Sequence, residues 1–288
     1  METKIDLEED WDIIIRPEKK WLDFNFREIW HYRDLIALFV RRDFVAYYKQ
    51  TILGPLWFLI QPLFTMVMFI IVFGKIAQVP TTTGIPMQLF YLSGIVNWNY
   101  FADCLNKTSA SFITNSAVFG KVYFPRLVVP ISIVLSSLIT YCIQLFLFLV
   151  ILIYHLFIHD FHLHLSLTIF IFPLLIAEMG LFGLGCGIIV SSLTTKYKDL
   201  SFAVVFGVQL WMYATPIVYP LSRVPEKWQW LFYLNPMASV AETFRSIVFG
   251  MDKINWELYS SGWIITLVVL TTGIMLFNRV EKTFMDTI

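Results

Sequence analysis

The chain has 288 residues, of which 58% are hydrophobic, 17% aromatic and only 15% charged, with no net charge and a mean hydropathy of +0.69. A water-soluble domain carries roughly a quarter of its residues as charges, and here nine Lys/Arg and eleven Asp/Glu are concentrated in residues 1–50. The other 238 positions hold 22 charges and cannot cover themselves for water, which excludes a soluble enzyme and predicts an all-α membrane protein. Zero net charge and the lack of a basic tract exclude nucleic-acid tracking.

Residues 1–24 are acidic and lack the basic-then-apolar order of a cleavable leader, so they read as a retained cytosolic extension. Residues 25–50 carry an amphipathic helix from about Arg27 to Lys49. Ile29, Tyr32, Ile36, Phe39, Val40, Phe44 and Tyr47 fall broadly on one side, whereas Arg27, His31, Asp34, Arg41, Arg42 and Lys49 favour the other. Such a helix lies on a membrane surface, as an anchor or as a docking element.

A bilayer core about 30 Å thick calls for roughly 20 apolar residues per helix. Within residues 51–280 six stretches qualify: 53–74, 87–105, 127–157, 165–193, 202–220 and 258–277. Gly54-Pro55 opens the first, and Pro62 inside it should bend it. The second is the least apolar, with Ser93, Asn97, Asn99 and Asp103. The third is longer than a perpendicular crossing needs, which implies tilt. Residues 281–288 form a short tail.

With the N-terminus inside, 16 of the 21 Lys/Arg fall on the cytoplasmic side and five outside, so both termini are expected in the cytoplasm. Between the fifth and sixth spans, Pro216, Pro220 and Pro225 prevent a simple turn. Glu226–Leu234 and Pro236–Phe249 are too short to cross, and Asn235 is a good N-cap ahead of a first-turn proline. Two short re-entrant or interfacial helices on the external side are expected there.

No phosphate-cradling glycine loop, nucleophile elbow or paired-histidine metal motif is present, so the chain has no catalytic residues of its own and no cofactor is expected on it. Glu178 in the fourth span and Asp103 at the end of the second are the intramembrane carboxylates, thin support for ion coupling. Glu178 reads as a structural polar group facing another helix, with a substrate or gating role as the alternative. His155, His159, His162 and His164 cluster within ten residues but straddle a span end and a loop, and read as interfacial rather than metal-binding. Cys104, Cys142 and Cys186 are far apart and imply no disulfide framework. Trp98, Tyr100, Trp228, Trp230 and Trp256 fit interfacial belts. Trp57, Phe58, Phe64 and Phe69, with Trp211, Tyr213 and Tyr219, lie deeper and are candidates to line a glycan conduit, since aromatic faces hold sugar C–H surfaces; ordinary packing is the alternative.

The run from Arg42-Asp43-Phe44 through Gly54-Pro55-Leu56-Trp57 resembles the opening signature of the ABC-2-type polysaccharide export permeases, which move O-antigen, capsule or teichoic acid chains. Gly120-Lys121-Val122-Tyr123-Phe124-Pro125-Arg126, Lys196-Tyr197-Lys198-Asp199-Leu200, Thr215-Pro216-Ile217-Val218-Tyr219-Pro220 and Asn235-Pro236 with Arg245 and Gly250 resemble further family motifs in the family's order. Lys198 and Tyr47 stand where arginine is usual, so no bidentate contact is implied at either position.

The resemblance implies a permease acting as a homodimer with two ATPase subunits, which would carry the ATP and magnesium. It implies an interface helix at the amphipathic segment and a coupling helix around Thr108–Val122, with Phe112, Asn115, Phe119 and Lys121 as coupling residues. Pro216, Pro220, Asn235, Pro236 and Arg245 would form an external gate. The implied substrate is a lipid-linked polysaccharide, O-antigen type preferred, and the implied location is the bacterial inner membrane. Arg41, Arg42 and Lys49 would meet its diphosphate, or merely anchor the positive inner face. Two rival classes stand beside this reading. An ion-coupled secondary transporter predicts inverted repeats, and no internal duplication is visible. A membrane glycan-lipid enzyme needs a spaced acid/base set, which His159, Asp160, His162 and Arg223 do not form.

Overall fold

The computed structural model describes residues 26–49, 51–82, 84–115, 124–158, 167–194, 199–250 and 254–283. Among these every regular element is helical. α1 (Phe26–His31) and α2 (Arg33–Tyr48) precede a short 3-10 turn at Gly54–Leu56 and α3 (Trp57–Phe69), which continues as a π-helical segment, Ile70–Ile76. α4 (Met87–Ser109), α5 (Ser111–Thr114), α6 (Val128–Ile158), α7 (Phe172–Thr194) and α8 (Leu200–Ala214) follow. The chain then makes α9 (Glu226–Tyr233), α10 (Pro236–Phe249) and α11 (Trp256–Thr283).

Among the described residues four stretches are long and apolar enough to cross a bilayer: Gly54–Ile76, Val128–Ile158, Thr168–Thr194 and Trp256–Arg279. The other two of the six expected spans, α4 and α8, differ from these for separate reasons. α4 is long enough at 23 residues, but 16 of them are buried inside the protein, where polar groups find protein partners. The Tyr141 hydroxyl donates to Asn97 Oδ1 at 3.0 Å, Asn97 Nδ2 donates to the Ser93 carbonyl at 2.9 Å, and Asn99 Nδ2 donates to Gln144 Oε1 at 3.3 Å. α8 has 15 residues, most of them apolar, about 22 Å of helix. It stops at Ala214, not at Pro220, because Thr215 is extended (φ −96°, ψ 146°), as the residue before a proline prefers. Pro62 is accommodated within α3, and the irregularity falls later, in the π-helical Ile70–Ile76 segment.

α4 is the axis of the core. α7, α6 and α3 surround it, and α11 packs against α7 on the side away from α4. Glycines permit both α7 contacts. A Cβ at Gly187 would lie 2.5 Å from Thr108 Cβ on α4, and one at Gly185 would lie 2.9 Å from Leu270 Cα on α11. Such backbone proximity is how helices associate where lipid supplies no hydrophobic drive. Aromatic packing fills the centre: Phe101 stacks on Phe182 with ring centroids 5.1 Å apart. Trp211 of α8 sets its edge against Trp98, Phe101 and Phe182. A second cluster joins Phe39 of α2 with Phe112, Phe124, Val128 and Phe277.

Candidate functional site

The segment between α8 and α10 is pinned by the N-cap residue of α10 and by one side chain within that helix. Asn235 caps that helix: its Oδ1 accepts from Met237 N at 3.1 Å. Its Nδ2 donates to Thr215 Oγ1 at 2.9 Å, tying the helix start to the end of α8. Arg245 is 5% exposed. It donates from Nη1 to the Pro216 carbonyl at 2.7 Å and from Nη2 to the Ile217 carbonyl at 2.9 Å. Its guanidinium lies 3.8 Å from the centroid of the Phe90 ring on α4, and Glu242 Oε1 stands 3.6 Å from Nη1. Burial lowers the guanidinium pKa to about 10, against the opposing pull of Glu242, so the charge persists at neutral pH.

Glu242 Oε1 also accepts the Leu221 N–H at 3.1 Å, beyond Pro220. Prolines 216, 220 and 236 are buried. Thus Pro216, Pro220, Asn235, Pro236 and Arg245 are brought to one assembly. Gly94 of α4 makes room for it, since a Cβ there would sit 2.7 Å from Ile217 Cγ2 and 3.2 Å from Arg245 Nη2. Neither Phe90 nor Gly94 was singled out from the sequence. The available signal was a lone glycine beside Ser93 in an otherwise apolar run.

At the α2 end a cavity of about 470 Å³ is lined by Arg42, Asp43 and Phe44 of α2, Phe58 of α3, Asn106 and Lys107 of α4, and Asn115, among others. Arg42 Nε donates to Asp43 Oδ1 at 2.9 Å, Nη2 donates to Asn115 Oδ1 at 3.3 Å, and the guanidinium lies 4.7 Å from the Phe39 ring centroid. Lys107 Nζ donates to Asp103 Oδ2 at 2.8 Å. The lining thus carries positive groups, each with a carboxylate beside it. Arg41 and Lys49 are exposed and Arg42 alone of those three lines the cavity.

Of the expected coupling residues, Phe112 is buried and stacks on Phe277 at 4.9 Å. Asn115 is buried against Arg42 and its own Ser111 carbonyl. Both face the protein interior. Phe119 and Lys121 lie outside the described residues.

The structure divides the seven aromatics. Trp57, Phe64 and Tyr213 are exposed, whereas Phe58 and Phe69 are buried. Trp211 is packed in the central cluster, and Tyr219 meets Phe232 at 6.4 Å. Phe73 of the π-helical segment packs on Phe69 of α3 and approaches Tyr213 of α8 at 6.5 Å. Glu178 is completely buried. His155 alone of its histidine cluster is described, with Nδ1 2.9 Å from the Ile151 carbonyl. Cys104 is buried and Cys142 exposed, and neither is in a disulfide.

The chain belongs to the ABC-2 type transporter family, whose model matches residues 34–249. It is therefore a multi-pass membrane permease, a transporter subunit without a catalytic domain that works with an ATPase. It is 29% identical over 259 residues to an O-antigen export system permease protein RfbA of Klebsiella pneumoniae, covering 88% of this chain and 94% of that one. A relative of the same name from Myxococcus xanthus is 24% identical over 265 residues, 91% of this chain and 98% of its own.

Proposed function

We propose that the chain is the membrane half of an ATP-driven exporter that carries a lipid-linked polysaccharide, of O-antigen type, from the cytoplasmic to the external side of a bacterial inner membrane. The observation that carries this reading is the similarity along nearly the whole chain to permeases named for O-antigen export. In this reading α4 and α8 cross the bilayer with the four apolar stretches, giving six spans. Both termini are cytoplasmic, as the Lys/Arg distribution favours, with α1, α2 and α5 at the inner face and α9 and α10 at the outer.

A second copy covers α8 and α3. Within one copy Val208 is the buried residue of α8, while Phe202, Val205, Phe206, Leu210 and Tyr213 remain exposed, as do Trp57, Phe64 and Met68 of α3. The homodimer encloses a conduit in which Trp57, Phe64 and Tyr213 offer ring faces to successive sugars. The polyprenyl-diphosphate end of the substrate enters at the α2 cavity, where Arg42 meets phosphate. Two ATPase subunits bind ATP and magnesium, and their closure is transmitted through the α5 region, including Phe119 and Lys121, to the Arg42–Asn115 contact. Nucleotide must then favour one permease conformation over another. Pro216, Pro220, Asn235, Pro236 and Arg245 form the external gate.

The test is reconstitution of the full chain, with and without its candidate ATPase partner, into liposomes loaded with lipid-linked glycan. Transfer should require both proteins and ATP. Movement of glycan by the chain alone would sink the proposal.

A further inference from the structure

Beneath α10, a set of oxygen atoms from three helices lacks partners in the protein. Glu178 of α7 is fully buried, and neither of its carboxyl oxygens has a hydrogen-bond partner in the protein; the same holds for Ser239 Oγ of α10 and Thr266 Oγ1 of α11. Tyr259 OH of α11 is likewise buried without a hydrogen-bond partner.

Gly262 of α11 locates the group. A Cβ there would lie 2.5 Å from Glu178 Oε1 and 2.9 Å from Ser239 Oγ, so those two oxygens bracket the same point on α11. Tyr259 and Thr266 lie one turn to either side of Gly262 on the same helix face. That face continues to Leu270 and Gly273, which touch Gly185 of α7, so Thr266 is directed at α7 between Glu178 and Gly185.

The other charged groups described on the surrounding helices are engaged elsewhere or exposed. Arg245 of α10 holds the Pro216 and Ile217 carbonyls, and Glu242 accepts from Leu221 N. Asp103 and Lys107 of α4 pair with each other, His155 of α6 meets the Ile151 carbonyl, and Glu257 of α11 is exposed. Tyr100 of α4 rests on Gly180 and Cys104 on Gly183, Tyr141 of α6 donates to Asn97, and Tyr213 of α8 is exposed.

A buried carboxylate without a counter-charge is strongly unfavourable, and the hard oxygens of a carboxylate and of hydroxyls suit a hard cation. One carboxylate balances one positive charge, whereas a divalent ion would leave a net charge buried. We propose that Glu178, with the hydroxyls of Ser239, Thr266 and Tyr259, forms a closed site for one monovalent cation that seats α10 on α7 and α11. The cation is an alkali ion or a proton on oxygen, and the test separates the two sources. The site lies outside the conduit and the ATPase contacts, so its test is independent of the polysaccharide reading.

The full-length chain, purified in detergent, is melted in choline chloride, with NaCl or KCl replacing it at constant ionic strength, and separately across pH 5.5 to 8 in choline alone. The expected result is a saturable rise in Tm of about 3–6 °C in the alkali arm or on acidification, lost in Glu178→Gln. A Tm that ignores both alkali ion and pH overturns the site, as does a rise that survives in Glu178→Gln. If that variant does not fold, Ser239→Ala and Thr266→Val should each weaken the titration midpoint by about tenfold, the equivalent of one lost ligand. An unmoved midpoint in both overturns the proposal equally.

Discussion

Arg245 and Phe90 meet face on, with the guanidinium carbon 3.8 Å from the ring centroid, while the same guanidinium clasps the carbonyls of Pro216 and Ile217. One side chain therefore fastens the proline-broken segment after α8 to the central helix α4. Removing it leaves two buried carbonyls without donors and a ring without its cation. Arg245→Ala should cost about 2–4 kcal/mol, read as a lowered midpoint of denaturant unfolding in detergent. Arg245→Lys should recover only part, because an ammonium cannot span both carbonyls as the planar fork does.

Gly94 lies under the same segment, and its missing side chain is what admits Ile217. With the Ile217 backbone Cα 3.2 Å from the position of an added Cβ, relief requires main-chain movement. Gly94→Ala should destabilise by about 1–3 kcal/mol through overpacking. A thermal melt unchanged by this substitution would show that the segment shifts freely.

Asn235 offers a separable pair of contacts. Asn235→Ala loses the helix cap, worth about 1 kcal/mol, together with the tie to Thr215. Asn235→Asp keeps the acceptor for Met237 N and loses only the donor to Thr215 Oγ1. Unfolding midpoints should rank wild type, then Asp, then Ala.

The Arg42–Asn115 hydrogen bond joins α2 to the residue following α5. Arg42 is partly exposed, so solvent screens the contact, and a double-mutant cycle with Arg42→Ala and Asn115→Ala should give an interaction energy of about 0.5–1 kcal/mol. In the assembled transporter the same pair should lower glycan transfer per ATP hydrolysed more than it lowers hydrolysis.

The aromatic residues should divide by position. Trp57→Ala, Phe64→Ala and Tyr213→Ala should leave the monomer's unfolding energy within about 0.5 kcal/mol while reducing glycan transfer. Trp211→Ala, which empties a cleft between Trp98, Phe101 and Phe182, should cost about 3–5 kcal/mol.

Phe58, Phe69 and Trp211 show where sequence reasoning stopped. Their chemistry suited a sugar conduit as well as Trp57, Phe64 and Tyr213 did, and periodicity along α3 does not say which face meets protein and which meets lipid when both are apolar. α4 presents the complementary case. Its Ser93, Asn97 and Asn99 made it look a poor span because hydropathy presumes lipid on all sides, yet 16 of its 23 residues are buried and its polar groups bond to neighbours.

The linear order of residues settled that the chain is helical and made for a membrane, because apolar runs of this length and so few charges leave backbone groups no partners but their own helix. It also marked Pro216, Asn235 and Pro236 as unusual, since proline geometry and capping act over a few neighbouring positions. Only the tertiary structure decided that Arg245 reaches Phe90 of α4, that Gly94 makes room for Ile217, and that Glu178, Ser239 and Gly262 meet. Those contacts join positions far apart in the chain, and the angle and depth at which helices cross depend on shapes that no local pattern encodes.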